Sequence, residues 1–176
     1  MMTSNEKDNL VSHGFGPVYD ARSRILILGS FPSVKSREQQ FYYGHPQNRF
    51  WKVLAALTGA EIEAAADIAV KKRFLEDYGI ALYDVIESCR ITGSSDASIR
   101  DVTPADLTPI LEAGNIEERI YANGTKAYDL YMKHIYPVNG IAAVKLPSTS
   151  PANAAWSLAR LTEEWQRLIG LLECIR

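Results

Sequence analysis

The chain carries no ready-made reactive centre. Cysteine is scarce. Cys89 and Cys174 stand far apart, too few for a four-thiolate zinc or iron–sulfur site. Met1 to Leu10 is polar and charged, with no apolar stretch of leader type, so a cytoplasmic location with both thiols reduced is expected. No apolar run approaches the roughly 18 residues that span a bilayer, and no membrane partner is expected. The three histidines, His13, His45 and His134, are isolated, and none stands at metal-ligand spacing with another His, Cys or carboxylate. No metal and no diffusible cofactor is expected. Also missing are the G-x-x-x-x-G-K-[ST] phosphate loop, a G-x-G-x-x-G after a strand, and the G-x-S-x-G of serine hydrolases. Charge of one sign is missing as well: 19 Lys and Arg against 21 Asp and Glu give a net −2. A protein that coats nucleic acid declares itself by a basic balance, and this one does not.

What remains is ordinary in bulk. The chain has 176 residues, 47% of them hydrophobic and 23% charged, which suits one domain with a sizeable core. One domain over 1–176 is expected, monomeric, with about residues 1–13 as an N-terminal arm. Short apolar runs alternate with longer amphipathic ones. Arg24 to Leu28, Ile80 to Ile86, Arg119 to Ala122 and Ile141 to Leu146 read as strands. Between them, helices are predicted from about Pro46 to Leu57, Glu61 to Tyr78, Thr103 to Ala113 and Thr125 to Ile135, with Gly93 to Asp101 a polar loop. A last helix runs from about Ala154 to Ile175 with Asn153 as its N-cap; Leu158, Leu161, Trp165, Leu168, Leu172 and Ile175 form its apolar stripe. The alternation predicts an α/β fold: a three-layer α/β/α sandwich around a mostly parallel four-stranded sheet. Ligands of such sheets bind outside the carboxyl ends of the strands.

The residues just past those ends are distinctive. Gly29-Ser30-Phe31-Pro32-Ser33 follows the first strand, and Pro147-Ser148-Thr149-Ser150-Pro151-Ala152-Asn153 follows the fourth. Each joins proline rigidity to small hydroxyls and available backbone N–H groups, a combination that meets a phosphate backbone closely without carrying charge. Between them, Lys35 to Lys52 holds four basic residues (Lys35, Arg37, Arg49, Lys52) against the single acid Glu38, together with five of the 17 aromatics. Basic groups interleaved with aromatic rings suit phosphate contact and base stacking. Asp84 is the one carboxylate near these loops.

Three segments carry a family resemblance. Gly29-Ser30-Phe31-Pro32-Ser33, then Tyr42-Tyr43-Gly44-His45-Pro46-Gln47-Asn48-Arg49-Phe50-Trp51, then Leu146 to Asn153, resemble in order and placement the motifs of the uracil-DNA glycosylase superfamily. More closely, they resemble its hypoxanthine-DNA glycosylase (DNA-deoxyinosine glycosylase) branch, over almost the whole chain from about Gly14. The resemblance implies a uracil-DNA-glycosylase-like domain whose partner is DNA containing a deaminated base. It would flip the base out and hydrolyse its N-glycosidic bond, leaving an abasic site. The wider superfamily places Asp or Asn just before the first-motif proline to position the attacking water; here that residue is Phe31. It often begins the last motif with His; here it is Leu146. In the hypoxanthine branch an Asn of the middle motif positions the water, and Asn48 matches it.

The resemblance therefore assigns Asn48 as the catalytic residue. Gly29, Ser30, Phe31 and Asn123 are assigned to the base, with Tyr43 or Phe50 as the ring on which it stacks. Ser33, Lys35, Ser148, Thr149, Ser150 and Asn153 are assigned to DNA, with Asn153 or Ala152 nearest the place of the wedge that fills the vacated stack. Excision without strand cleavage is expected, because a lyase step needs an amine nucleophile and Lys35 is the only lysine in the motifs. Three alternatives stay open: a glycosylase preferring uracil in mismatches, an inactive DNA-binding relic of the fold, and a nucleoside-processing enzyme.

Overall fold

The computed structural model describes residues 9–92, 95–117 and 119–175. Its centre is β2 (Ile25–Gly29), whose five residues are all buried. Successive strand side chains point to opposite faces, so a strand buried at every position lies in a sheet covered on both sides. β3 (Ile80–Asp84) is likewise buried throughout. β6 (Ile120–Asn123) and β7 (Val144–Leu146) complete a parallel sheet in the order β3-β2-β6-β7. The helices that cover it are α1 (Val34–Gln39), α2 (Phe50–Thr58), α3 (Ile68–Asp77), α4 (Thr108–Ala113), α5 (Thr125–His134), α6 (Tyr136–Asn139) and α7 (Leu158–Ile169). This is the expected α/β/α arrangement. No helix among the described residues is long and apolar enough to cross a membrane.

A second sheet was not foreseen. β1 (Asn9–Ser12), β4 (Ile86–Ile91) and β5 (Arg100–Pro104) pair antiparallel in the order β1-β4-β5. The expected strand Ile80–Ile86 is therefore two strands that break at Val85. Most of the expected polar loop is a short 3₁₀ turn, Asp96–Ser98, and the start of β5; Gly93 and Ser94 lie outside the described residues. Pro104 closes an edge strand, where a missing N–H costs no ladder bond. The part of the expected arm from residue 9 onward is corrected in the same way. Residues 9–12 pair with β4 and His13 is 2% exposed, while residues 1–8 lie outside the described residues.

Several helices are shorter than their periodicity suggests. α3 starts at Ile68, because Ile62 is buried in the core and Lys71 Nζ takes the Ala64 carbonyl that a continuous helix would use itself. The helix expected from Thr103 starts at Thr108, whose N–H is accepted by Asp106. α7 is capped by Ser157, not Asn153, and stops at Gly170 with φ 90°. Its Leu161, Trp165 and Ile169 are buried, while Leu158 stays 39% exposed. Trp165 Nε1 donates to the Pro147 carbonyl at 2.9 Å, tying α7 to the loop after β7.

Candidate active site

Sheet register brings the chemistry to one edge. Gly29 pairs with Asp84 and Asn123 with Leu146, so four strand ends meet there. The loops beyond them, with the segment 42–48, enclose a cavity of about 620 Å³, within the range of small-molecule sites.

Asn48 stands on this wall at the approach to α2. Its Oδ1 accepts the Phe50 N–H at 3.0 Å and the Thr149 hydroxyl at 2.9 Å. The Phe50 N–H fixes which end of the amide is oxygen, so Nδ2 is the end left to donate. Thr149 Oγ1 in turn accepts Asn123 Nδ2 at 3.0 Å, and Asn123 Oδ1 accepts the Thr149 N–H at 3.1 Å. Asn48, Thr149 and Asn123, from three separate segments, thus form one hydrogen-bonded chain along the cavity. Arg49 holds the far side of the same loop. Its guanidinium donates to the carbonyls of Ser150 at 2.8 Å, Asn153 at 3.1 Å and Thr149 at 3.4 Å, and to that of Trp156.

Of the residues expected at the base, Gly29, Ser30, Phe31, Tyr43 and Asn123 line the cavity. Phe50 does not: it is fully buried in the core, behind Tyr43, whose ring stacks on it at 3.9 Å. It therefore offers no face to a ligand. Ser33, Lys35, Ser148 and Ser150 are on the wall, with Lys35 exposed. Ser33 also caps α1. Thr149 is fully buried with its hydroxyl committed to the two asparagines, so it braces the site instead of facing phosphate. Asn153 is off the wall; its amide donates to the Ser148 carbonyl at 3.0 Å and folds the loop onto itself. Leu146, where the wider superfamily has His, is core.

His13 and Asp96 were missed as site groups, and Asp84, noted as the carboxylate near the loops, was given no role at the base. Asp84 and Asp96 both line the cavity. Asp84 Oδ2 is 2.7 Å from His13 Nε2. Burial pushes the Asp96 carboxyl up, against a bond from Ser30 and the charge of Lys126. Burial raises the Tyr43 phenol most, and Asp84 raises it further, against a bond from the Asn123 amide. The only available signal was that Asp84 directly ends an apolar strand. Among the described residues no three His, Cys, Asp or Glu side chains converge as a metal site would require.

Known proteins share this architecture. The chain is 34% identical over 161 residues to a Methanosarcina acetivorans protein named hypoxanthine DNA glycosylase, a match covering 89% of this chain and 97% of that one. A Methanosarcina barkeri protein of the same name is 36% identical over 88 residues, half of this chain and 55% of that one. The solution NMR structure of a Methanosarcina acetivorans protein named as a candidate uracil DNA glycosylase superposes with a TM-score of 0.73 at 32% identity, covering 92% of this chain and 98% of that one. The model of the uracil DNA glycosylase superfamily matches residues 16–169, which span every segment of the cavity described above. With motif order, sheet edge and sequence in agreement, the chain belongs to the uracil DNA glycosylase superfamily.

Proposed function

We propose that the protein is a monofunctional DNA glycosylase that flips hypoxanthine out of DNA and hydrolyses its N-glycosidic bond. The observation that carries this is Asn48: an amide fixed at its oxygen end, on the wall of a cavity at the carboxyl edge of the sheet. The substrate name comes from the relatives that the chain matches over nearly its whole length.

The reaction needs no strong base. The C1′–N9 bond breaks with its electron pair leaving on the purine, and the sugar becomes oxocarbenium-like. Against such a cation a neutral water suffices, provided it is held in line. Asn48 Nδ2 donates to one lone pair of that water and leaves the other for C1′; its surplus proton then neutralises the purine anion through solvent. Such positioning accounts for a large part of the barrier reduction. Backbone N–H groups of the Ser30–Phe31 turn meet charge on the departing base, as in an oxyanion hole. With Phe50 in the core, stacking falls to Phe31, and Tyr43 meets the base with its hydroxyl end. Ser33, Lys35, Ser148 and Ser150 contact the DNA backbone.

The test is a duplex with one deoxyinosine, and a second with one deoxyuridine, treated with hot alkali after incubation. Breaks at inosine only after alkali are expected. Breaks before alkali would mean a lyase; faster breakage at uridine would assign the site to uracil; retarded mobility without breaks would mean a binding relic. Thr149→Val, which keeps the shape and deletes the bridging hydroxyl, is expected to lower stability by about 1–2 kcal/mol, since two partly buried asparagine amides lose a partner. It should also slow inosine excision about tenfold, whereas Thr149→Ser should restore most of both. Thermal unfolding and single-turnover rates check this.

A further inference from the structure

One stretch of the cavity wall is unused by the mechanism above. Asp84 lines the cavity at the end of β3 although it is only 3% exposed. Its Oδ2 contacts His13 Nε2 at 2.7 Å. His13 lies ahead of the family-matched segment 16–169, and the pairing of β1 with β4 delivers it. Four rings surround it: Phe15 at 4.5 Å, Tyr83 at 4.9 Å, Tyr42 at 5.8 Å and Phe31 at 6.3 Å. Its Nδ1 is buried with no partner. A proton there would be a stranded donor, so the proton sits on Nε2 and is donated to an Asp84 carboxylate. The carboxylate abuts Gly29: a methyl on Gly29 would run into it and would sit 3.1 Å from the Tyr43 hydroxyl. That hydroxyl is buried beside the Asn123 amide, and no acceptor takes its proton. The hydroxyls of Tyr42 and Tyr83 are taken, by the Gly16 carbonyl and by Glu87. An acceptor and an unpartnered donor therefore stand side by side at one place on the wall.

We infer that His13 and Asp84 form a base-selecting dyad, in which Asp84, oriented by His13, accepts the N1–H of a flipped lactam purine. The inference rests on the glycosylase reading and deepens it. A lactam purine offers a C6 carbonyl beside an N1–H, complementary to the Tyr43 hydroxyl and the Asp84 carboxylate. Adenine offers the reverse, with the lone pair of its N1 turned on a carboxylate that cannot donate. A site that binds a substrate N–H in this way rejects the analogue that lacks it. His13 is the positioning residue: it holds the carboxylate in one orientation and keeps its free edge acceptor-only.

The experiment compares single-turnover release of hypoxanthine and of 1-methylhypoxanthine from otherwise identical duplexes. The wild type is expected to release the N1-methylated base at least about 100-fold more slowly. In Asp84→Asn and His13→Phe, hypoxanthine release should fall and the methylation penalty should shrink below about tenfold, since the fixed acceptor is lost. Binding of a duplex with a tetrahydrofuran abasic analogue should stay within about twofold, because it presents no base. Variants that slow both substrates equally, with the penalty preserved, would show a structural role only and overturn the dyad. The wild-type comparison needs no variant to fold: equal release of the two bases overturns the dyad and leaves the glycosylase intact. No release of hypoxanthine at all overturns both.

Discussion

Asn48→Ala is expected to lower the single-turnover rate of hypoxanthine release by about 100- to 1,000-fold, the usual cost of removing one preorganised hydrogen-bonding group at a reacting centre. Affinity for an inosine duplex should change by less than about threefold, because Asn48 is assigned to the water and not to DNA. The substitution also removes the acceptor for the Phe50 N–H and the Thr149 hydroxyl, so about 1–2 kcal/mol of stability should go with it. Asn48→Asp separates the two effects. A carboxylate still accepts both bonds and keeps the fold, but it has no N–H to offer the water. A slow, well-folded Asp variant places the defect at the reacting centre; full activity in the Ala variant removes Asn48 from the mechanism and leaves the family membership untouched.

The second large effect is expected at Arg49. One guanidinium gathers four carbonyls of the segment Thr149–Trp156. Hydrogen bonds from a charged donor are worth about 1.5–3 kcal/mol each, and the four are not independent, so Arg49→Met should cost about 3 kcal/mol. Freed of its clamp, the loop that carries Ser148 and Ser150 should lose duplex affinity about tenfold and become open to protease nicking. Arg49→Lys should recover only part of this, since a compact ammonium cannot span the fork that a guanidinium does. Thermal unfolding, duplex titration and limited proteolysis report the three consequences separately.

Much of the scaffold was legible because local chemistry and long-range placement agree. The all-apolar run before Gly29 had to be a strand buried on both faces. The strand–helix alternation then put Gly29, Asn123 and Ser148 at one edge, where Asn48 also arrives. The second sheet was not legible, since β1 becomes a strand only by pairing with residues nearly 80 positions away. Phe50 and Tyr43 were indistinguishable as candidates. What separates them is a backbone turn at Tyr43 with φ 51°, which no residue pattern announces in a tyrosine. Thr149 looked like a phosphate ligand because its loop is full of hydroxyls; that it is inward-facing depends on Asn48 and Asn123, from two other segments. The pairing of Asp84 with His13 was hidden for the same reason: 71 positions apart, they meet only after both sheets have formed.

The most direct test is a structure of the protein on a duplex carrying a non-cleavable 2′-fluoro deoxyinosine analogue. An ordered water hydrogen-bonded to Asn48 and within about 3.5 Å of C1′, on the face away from the purine, is the expected result. A purine in the cavity with Asn48 turned from C1′, or with another group holding the water, would contradict it.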